Sequence, residues 1–186
     1  MAKQKTEKRS KTEKPTSSDG RWWDLIERAG EAVESPDEQC EALLELLQEE
    51  LDPDEILLFD KFVHERLRDA YRWDLWEVAY IMNGGCSDDG FDYFCGWLVG
   101  KGREHYEAAL AKPEDAAKGV DPKDEPFENE MMWYVAANAW QAKTEKEHGD
   151  YEKVAHDVTR SLEGDAFDED AVDEKYPELA KKFGGE

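Results

Sequence analysis

Residues 83–102, NGGCSDDGFDYFCGWLVGKG, gather the groups in this chain that could do chemistry: six glycines, three aspartates, two cysteines and four aromatic residues in twenty positions. Glycine removes the side chain that would obstruct a tight turn or the approach of a ligand to the backbone. With Gly84, Gly85 and Gly90 leaving space, Asp88, Asp89 and Asp92 are candidates to bind a cation or a basic group, and Asn83 and Trp97 could line such a pocket. Cys86 lies just before Ser87, a residue type that caps helices, and a thiol beside a helix N-terminus has a lowered pKa. His105 is then the candidate base of a cysteine hydrolase, with an aspartate to orient it. The same string also has a structural explanation. A serine cap followed by acidic residues puts carboxylates at the positive end of the helix dipole, each worth about 0.3–1 kcal/mol.

Metal sites are less well supported. Adjacent acids followed at once by Phe91 do not supply the alternating oxygen ligands of an EF-hand loop. Magnesium needs one or two carboxylates when a substrate supplies the rest, so Asp88 and Asp89 keep that option open. His64, His105, His148 and His156 show no pairing at helical spacing with one another, and no cysteine sits beside one. The sequence implies no cofactor.

The elements that must position these residues read as helices. Trp22, Leu25, Ile26 and Ala29 share one face of a first helix; Ser35-Pro36 opens a second with Cys40, Leu43, Leu44 and Leu47. Asp52-Pro53-Asp54-Glu55 is a stronger start signal, leading into the apolar stripe Ile56, Phe59, Phe62, Val63, Leu67 and Ala70. A fourth helix runs from Trp73 to the stop at Asn83-Gly84-Gly85. Ser87 caps a fifth with the face Phe91, Phe94, Cys95 and Leu98, and Arg103 to Ala111 gives a sixth. Residues 113–126 read as a surface loop, 127–142 as one dense apolar helix, and the acidic stretch 145–178 as an exposed helix before a closing segment at Tyr176-Pro177-Glu178-Leu179. The tryptophans at helical spacing, Trp73, Trp76, Trp97, Trp133 and Trp140, read as core. No segment alternates apolar and polar residues, so the expected fold is all-α: a single compact multi-helix domain over residues 21–183, preceded by a disordered basic tail over 1–20.

Charge narrows the partners. Residues 1–14 hold six Lys/Arg against two Glu, which leaves the rest of the chain with 18 basic and 45 acidic residues, a net of −27. A body this acidic repels phosphate, so nucleic acid is not an expected partner for it, whereas basic proteins and cations are attracted. No apolar run is long enough to span a bilayer, and no membrane association is expected. Cys40, Cys86 and Cys95 are odd in number and lack metal spacing, which fits reduced thiols and a cytoplasmic location.

The run Ala79-Tyr80-Ile81-Met82-Asn83-Gly84-Gly85-Cys86-Ser87-Asp88-Asp89-Gly90-Phe91, continued by Asp92-Tyr93-Phe94 and Trp97-Leu98, resembles a bacterial family of unknown function, DUF4240. Trp23-Asp24-Leu25-Ile26, the Phe59–Tyr71 helix, Gly102-Arg103-Glu104, Ala108-Ala109-Leu110, Pro113, Val135-Ala136-Ala137 and the closing Tyr176-Pro177-Glu178-Leu179 resemble family segments in the same order. The resemblance implies a bacterial intracellular single-domain protein and carries no activity. It departs at Cys95, where the family pattern often has an Arg that could pair with Asp88 or Asp89.

With no complete catalytic set in view, the leading expectation is an interaction or regulatory module that meets an unknown protein partner or ligand through the corner at 83–102. A hydrolase using Asp88 and Asp89 with a divalent metal, or Cys86, is the alternative. A DNA mimic that occupies a nucleic-acid-binding protein follows from the charge of the body.

Overall fold

The computed structural model describes residues 18–124 and 126–184. Among these, ten α-helices and three short 3-10 turns carry the regular structure; no strand forms, and Arg72 and Glu163 make one isolated bridge. The all-α expectation holds. No helix among the described residues is long and apolar enough to cross a membrane.

The first helix, α1 (Ser18–Ala29), begins three residues before its expected start at Arg21. The rest of the expected tail, residues 1–17, lies outside the described residues. Helix α2 (Pro36–Glu50) starts as the sequence indicates, with Ser35 Oγ accepting from the Glu38 amide at 3.2 Å. Helix α3 (Pro53–Asp69) has a full capping box: Asp52 accepts from the Glu55 amide at 2.9 Å, and Glu55 accepts from the Asp52 amide at 3.0 Å. Such caps satisfy amides that the first turn would otherwise leave without partners.

These three helices build one side of the core. Trp22 meets Phe59 edge to face at 5.8 Å, and Trp23 meets Phe62 in the same way at 5.3 Å. Helix α4 (Trp73–Met82) and helix α5 (Asp88–Gly100) follow, with Phe91, Phe94, Cys95 and Leu98 of α5 fully buried. Helix α6 (Arg103–Ala111) runs on from α5 after a break at Gly102. The last large helix, α7 (Val135–Thr144), packs against both α2 and α3. Its buried face of Val135, Ala136, Ala137, Ala139 and Trp140 is mostly small, which lets its backbone approach theirs closely.

Three stretches depart from the sequence reading. The expected loop at 113–126 contains 3-10 turns at Pro113–Ala117 and Pro122–Asp124, and Ala116, Ala117 and Val120 are buried; the first turn packs on α4 and α6. The expected helix at 127–142 is broken, because Asn129 uses its side chain to accept from the Met132 amide at 3.1 Å and so caps a 3-10 turn (Glu130–Trp133). Helix α7 starts only after that turn.

The expected exposed helix at 145–178 is confined to two single turns, α8 (His148–Tyr151) and α9 (Val172–Lys175). Between them residues 152–171 form a strap without a helix, none of whose side chains is buried. Carboxylates crowd this stretch and few apolar residues recur, so nothing in it can bury the face a helix would need. The strap crosses α4 instead. Trp73 N donates to Glu163 O at 2.9 Å, Glu163 N donates to Tyr71 O at 3.1 Å, and Phe167 packs edge-on against Trp73 and Tyr80. The closing segment forms α10 (Pro177–Phe183), which returns to α4 and puts Phe183 against Phe127 at 5.7 Å.

Candidate functional site

Asn83 to Ser87 fold as one turn between α4 and α5. Gly85 N donates to Tyr80 O at 2.8 Å, with Gly84 at φ +61° and Gly85 at φ +129°, conformations that side chains rarely adopt. Ser87 then caps α5, accepting from the Gly90 amide at 3.1 Å, and Asp88 and Asp89 stand exposed in the first turn. Trp76 Nε1 donates to Cys86 O at 2.9 Å and pins the turn to α4. Asn83 Oδ1 accepts from the Phe127 amide at 2.9 Å, and its own amide nitrogen is buried with no partner.

The nine sequence candidates do not share a pocket. Asn83, Gly84, Gly85, Cys86 and Ser87 belong to the turn, and Asp88 and Asp89 open α5 directly after it. Asp92, one turn further along α5, is paired with Arg160. Trp97 lies about 13 Å along the helix from Asp88 at 1.5 Å per residue, packed at 5.4 Å on Phe127.

At that far end a cleft of about 630 Å³ opens between α1, the start of α2, the end of α5 and residues 119–129. Trp97 and Phe127 contribute aromatic surface; Glu27, Glu31, Glu34 and Asp124 set its charge against Lys101. Gln39, 8% exposed, spans the cleft wall by donating to Gly100 O at 2.8 Å and Ile26 O at 3.2 Å. Asn129, 2% exposed, turns Oδ1 toward the Met132 amide and the Cys40 thiol, which leaves its Nδ2 beside Gly100 with no hydrogen-bond partner. A buried amide donor without an acceptor costs about 1–3 kcal/mol. The adjoining loop holds Ala32 at φ +65°, a rare conformation for a residue with a Cβ.

The chemistry expected of Cys86 is not supported by its surroundings. Burial, and then the carboxylate of Glu128, push its thiol up to about 12, the opposite of the lowered value a nucleophile needs. His105 is engaged elsewhere: its Nε2 lies 2.9 Å from Ala116 O and its ring meets Trp97 edge-on. Among the described residues no three His, Cys, Asp or Glu side chains converge to hold a metal ion. The arginine expected to be lacking beside Asp88 and Asp89 has a counterpart at Asp92, supplied by the strap.

Sequence reading missed a second group around Asp60, which is 2% exposed on α3. Its carboxylate lies 3.5 Å from His64 Nε2 and takes a hydrogen bond from Tyr151. The signal was there, since Asp60 stands one turn after Ile56 inside an otherwise apolar stripe. Burial raises the Asp60 carboxyl above its ordinary range, opposed by His64, Tyr151 and His156. Folding therefore favours the protonated acid: the associated stability is complete below the ordinary aspartate range and is lost as pH rises through the elevated folded value. Asp60→Asn, which cannot ionise, is expected to gain in Tm relative to the unsubstituted protein between about pH 4 and about pH 7. Scanning fluorimetry at both pH values measures the gap, and a gap that stays constant would show that the charge of Asp60 is not linked to folding.

No curated protein and no solved structure matches this chain. A family model described as a protein of unknown function, DUF4240, matches residues 18–142. That span holds the whole of the turn, α5 and Asn129, two thirds of the chain in all, and the chain belongs to the DUF4240 family.

Proposed function

We propose that the chain is a binding or regulatory module whose ligand sits in the cleft at the C-terminal end of the 83–102 corner. The observation that carries this reading is the unpartnered Asn129 amide beside a cleft large enough for a small molecule. Four carboxylates against one lysine favour a cation, and the Trp97 and Phe127 rings in the cleft wall favour one with an apolar body. The ligand class is thus a small organic amine that also bears a hydrogen-bond acceptor for Asn129. Of the sequence candidates, Trp97 lines this site. The remaining candidates, from Asn83 to Asp92, hold α5 in the orientation that opens it.

Thermal unfolding in a series of primary amines of increasing length, with the matching carboxylic acids as controls, tests the reading. An amine present at about 100 times its Kd is expected to raise Tm by about 5–10 °C. Val33→Trp, which puts an indole into the cleft, is expected to abolish that rise. Equal responses to amines and acids, or a rise that survives in Val33→Trp, would overturn the assignment.

A further inference from the structure

Arg160 is held as a bound ligand would be. Its two terminal nitrogens meet the two oxygens of Asp92, the Nη2–Oδ2 bond being 2.6 Å. Its guanidinium carbon lies 4.3 Å from the Tyr71 ring centroid and 4.5 Å from that of Trp133. Two aromatic faces and one bidentate carboxylate are the arrangement that selects a planar guanidinium over the compact ammonium of lysine.

The three walls are fixed without any help from the arginine. Trp133 Nε1 donates to Asp92 O at 2.9 Å, which sets that indole against α5. Tyr71 stacks on Phe91 at 5.5 Å, and Phe91 stacks in turn on Trp76 at 4.9 Å. Tyr71, Asp92 and Trp133 all fall within the span that matches the family, and Arg160 falls beyond it. The arginine arrives on the strap, which has no buried side chain and is tied to α4 by one pair of backbone hydrogen bonds at Glu163, by Phe167 and by the Tyr80 hydroxyl, which donates to Glu169 at 3.0 Å. A rigid receptor is therefore filled by a segment that buries none of its own side chains, the kind of element that opens locally at low cost.

We propose that Tyr71, Asp92 and Trp133 form an arginine-recognition site, that Arg160 occupies it in cis, and that its partner is an arginine-bearing basic peptide segment which displaces the strap. Charge favours such a partner: the chain beyond residue 14 carries a net −27, so a basic segment is drawn to it over a distance and a neutral one is not. Arg160 and Asp92 side chains keep 30% and 22% exposure, so the guanidinium edge is reachable from solvent. Tethering gives the cis arginine an effective concentration in the millimolar range, which masks the site from weak competitors.

Fluorescence anisotropy with a labelled eight-residue peptide of alternating Arg and Gly, alongside its Lys and Gly counterpart, tests the proposal on the full chain. Arg160→Ala is expected to bind the arginine peptide at least about tenfold more tightly than the unsubstituted protein, because the tethered competitor is gone. The lysine peptide is expected to bind Arg160→Ala several-fold more weakly than the arginine peptide. Adding Asp92→Asn to Arg160→Ala should remove the gain. Equal affinity of Arg160→Ala and the unsubstituted protein, equal binding of the two peptides, or an unchanged gain in the double variant would each overturn the site. Hydrogen exchange of the unsubstituted protein serves if Arg160→Ala does not fold: saturating arginine peptide is expected to speed exchange across residues 152–171, and unchanged exchange there would overturn the displacement.

Discussion

Replacing Phe91 with alanine is expected to cost about 3–5 kcal/mol, a large share of the 5–15 kcal/mol that holds a domain of this kind together. The ring is fully buried and lies in the middle of a stacked column, 4.9 Å from Trp76 on one side and 5.5 Å from Tyr71 on the other, with Phe94 at 6.3 Å. Its removal forfeits the transfer free energy of the ring and leaves a void that α4 and α5 cannot readily close, because the Trp76–Cys86 hydrogen bond pins the turn that joins them. The urea midpoint should fall accordingly with little change in slope. Tyr71 would lose its backing at the same time, so arginine-peptide binding should weaken in whatever fraction remains folded. A loss below about 1 kcal/mol would mean that the column is not a support.

Gly96→Ala is expected to be nearly as damaging, at about 3 kcal/mol, although alanine is the better helix former by about 1 kcal/mol. A Cβ at this position would collide with the backbone carbonyl oxygen of Asn129 and crowd Met132 Cβ at 3.3 Å. Backbone cannot swing aside as a flexible side chain can, and Asn129 N is also tied to Tyr93 O at 2.8 Å. Gly90→Ala in the same helix is the control. There the added carbon would meet Ser87 Oγ at 3.3 Å and Glu128 Oε1 at 3.4 Å, side-chain atoms that can yield. Chemical denaturation of the two variants should separate them by at least about 2 kcal/mol, and equal losses would show that the α5 contact with Asn129 is loose.

The features legible in the sequence are the ones that act locally. Ser35-Pro36, Asp52-Pro53 with Glu55, and Ser87 each announce a helix start because a cap engages amides two or three residues away. The apolar stripe of α3 is equally plain, since every residue in it faces the core at helical spacing. The break at 129–134 is not legible: the run from Met131 to Trp140 is apolar but for Asn138, and the turn depends on how closely Asn129 approaches Gly96, thirty-three positions earlier. The same contact accounts for part of the glycine excess that capping alone leaves unexplained. A further part belongs to Gly84, Gly85 and Gly102, where the backbone takes positive φ.

For the candidate site, sequence reasoning marks the right helix and misjudges which of its residues meet something. Asp88 and Asp89 stand out as adjacent charges, yet Asp92 is the one that finds a cation. Its partner is a single arginine among the thirteen acids of residues 145–178, and nothing local distinguishes that arginine from a solvated one. The cleft is still less visible, because Gln39, Gly100 and Asn129 come from three separate regions.

The docking of α7 against α2 and α3 also sets a schedule for making the protein. Helix α3 is complete at Asp69, but the helix that covers its open face ends at Thr144, 75 residues later. At about 5–20 residues per second the growing chain carries the uncovered apolar surfaces of α2 and α3 for about 4–15 s. Over that interval the acidic side chains that dominate the outer faces of α2 are what keeps neighbouring nascent chains apart.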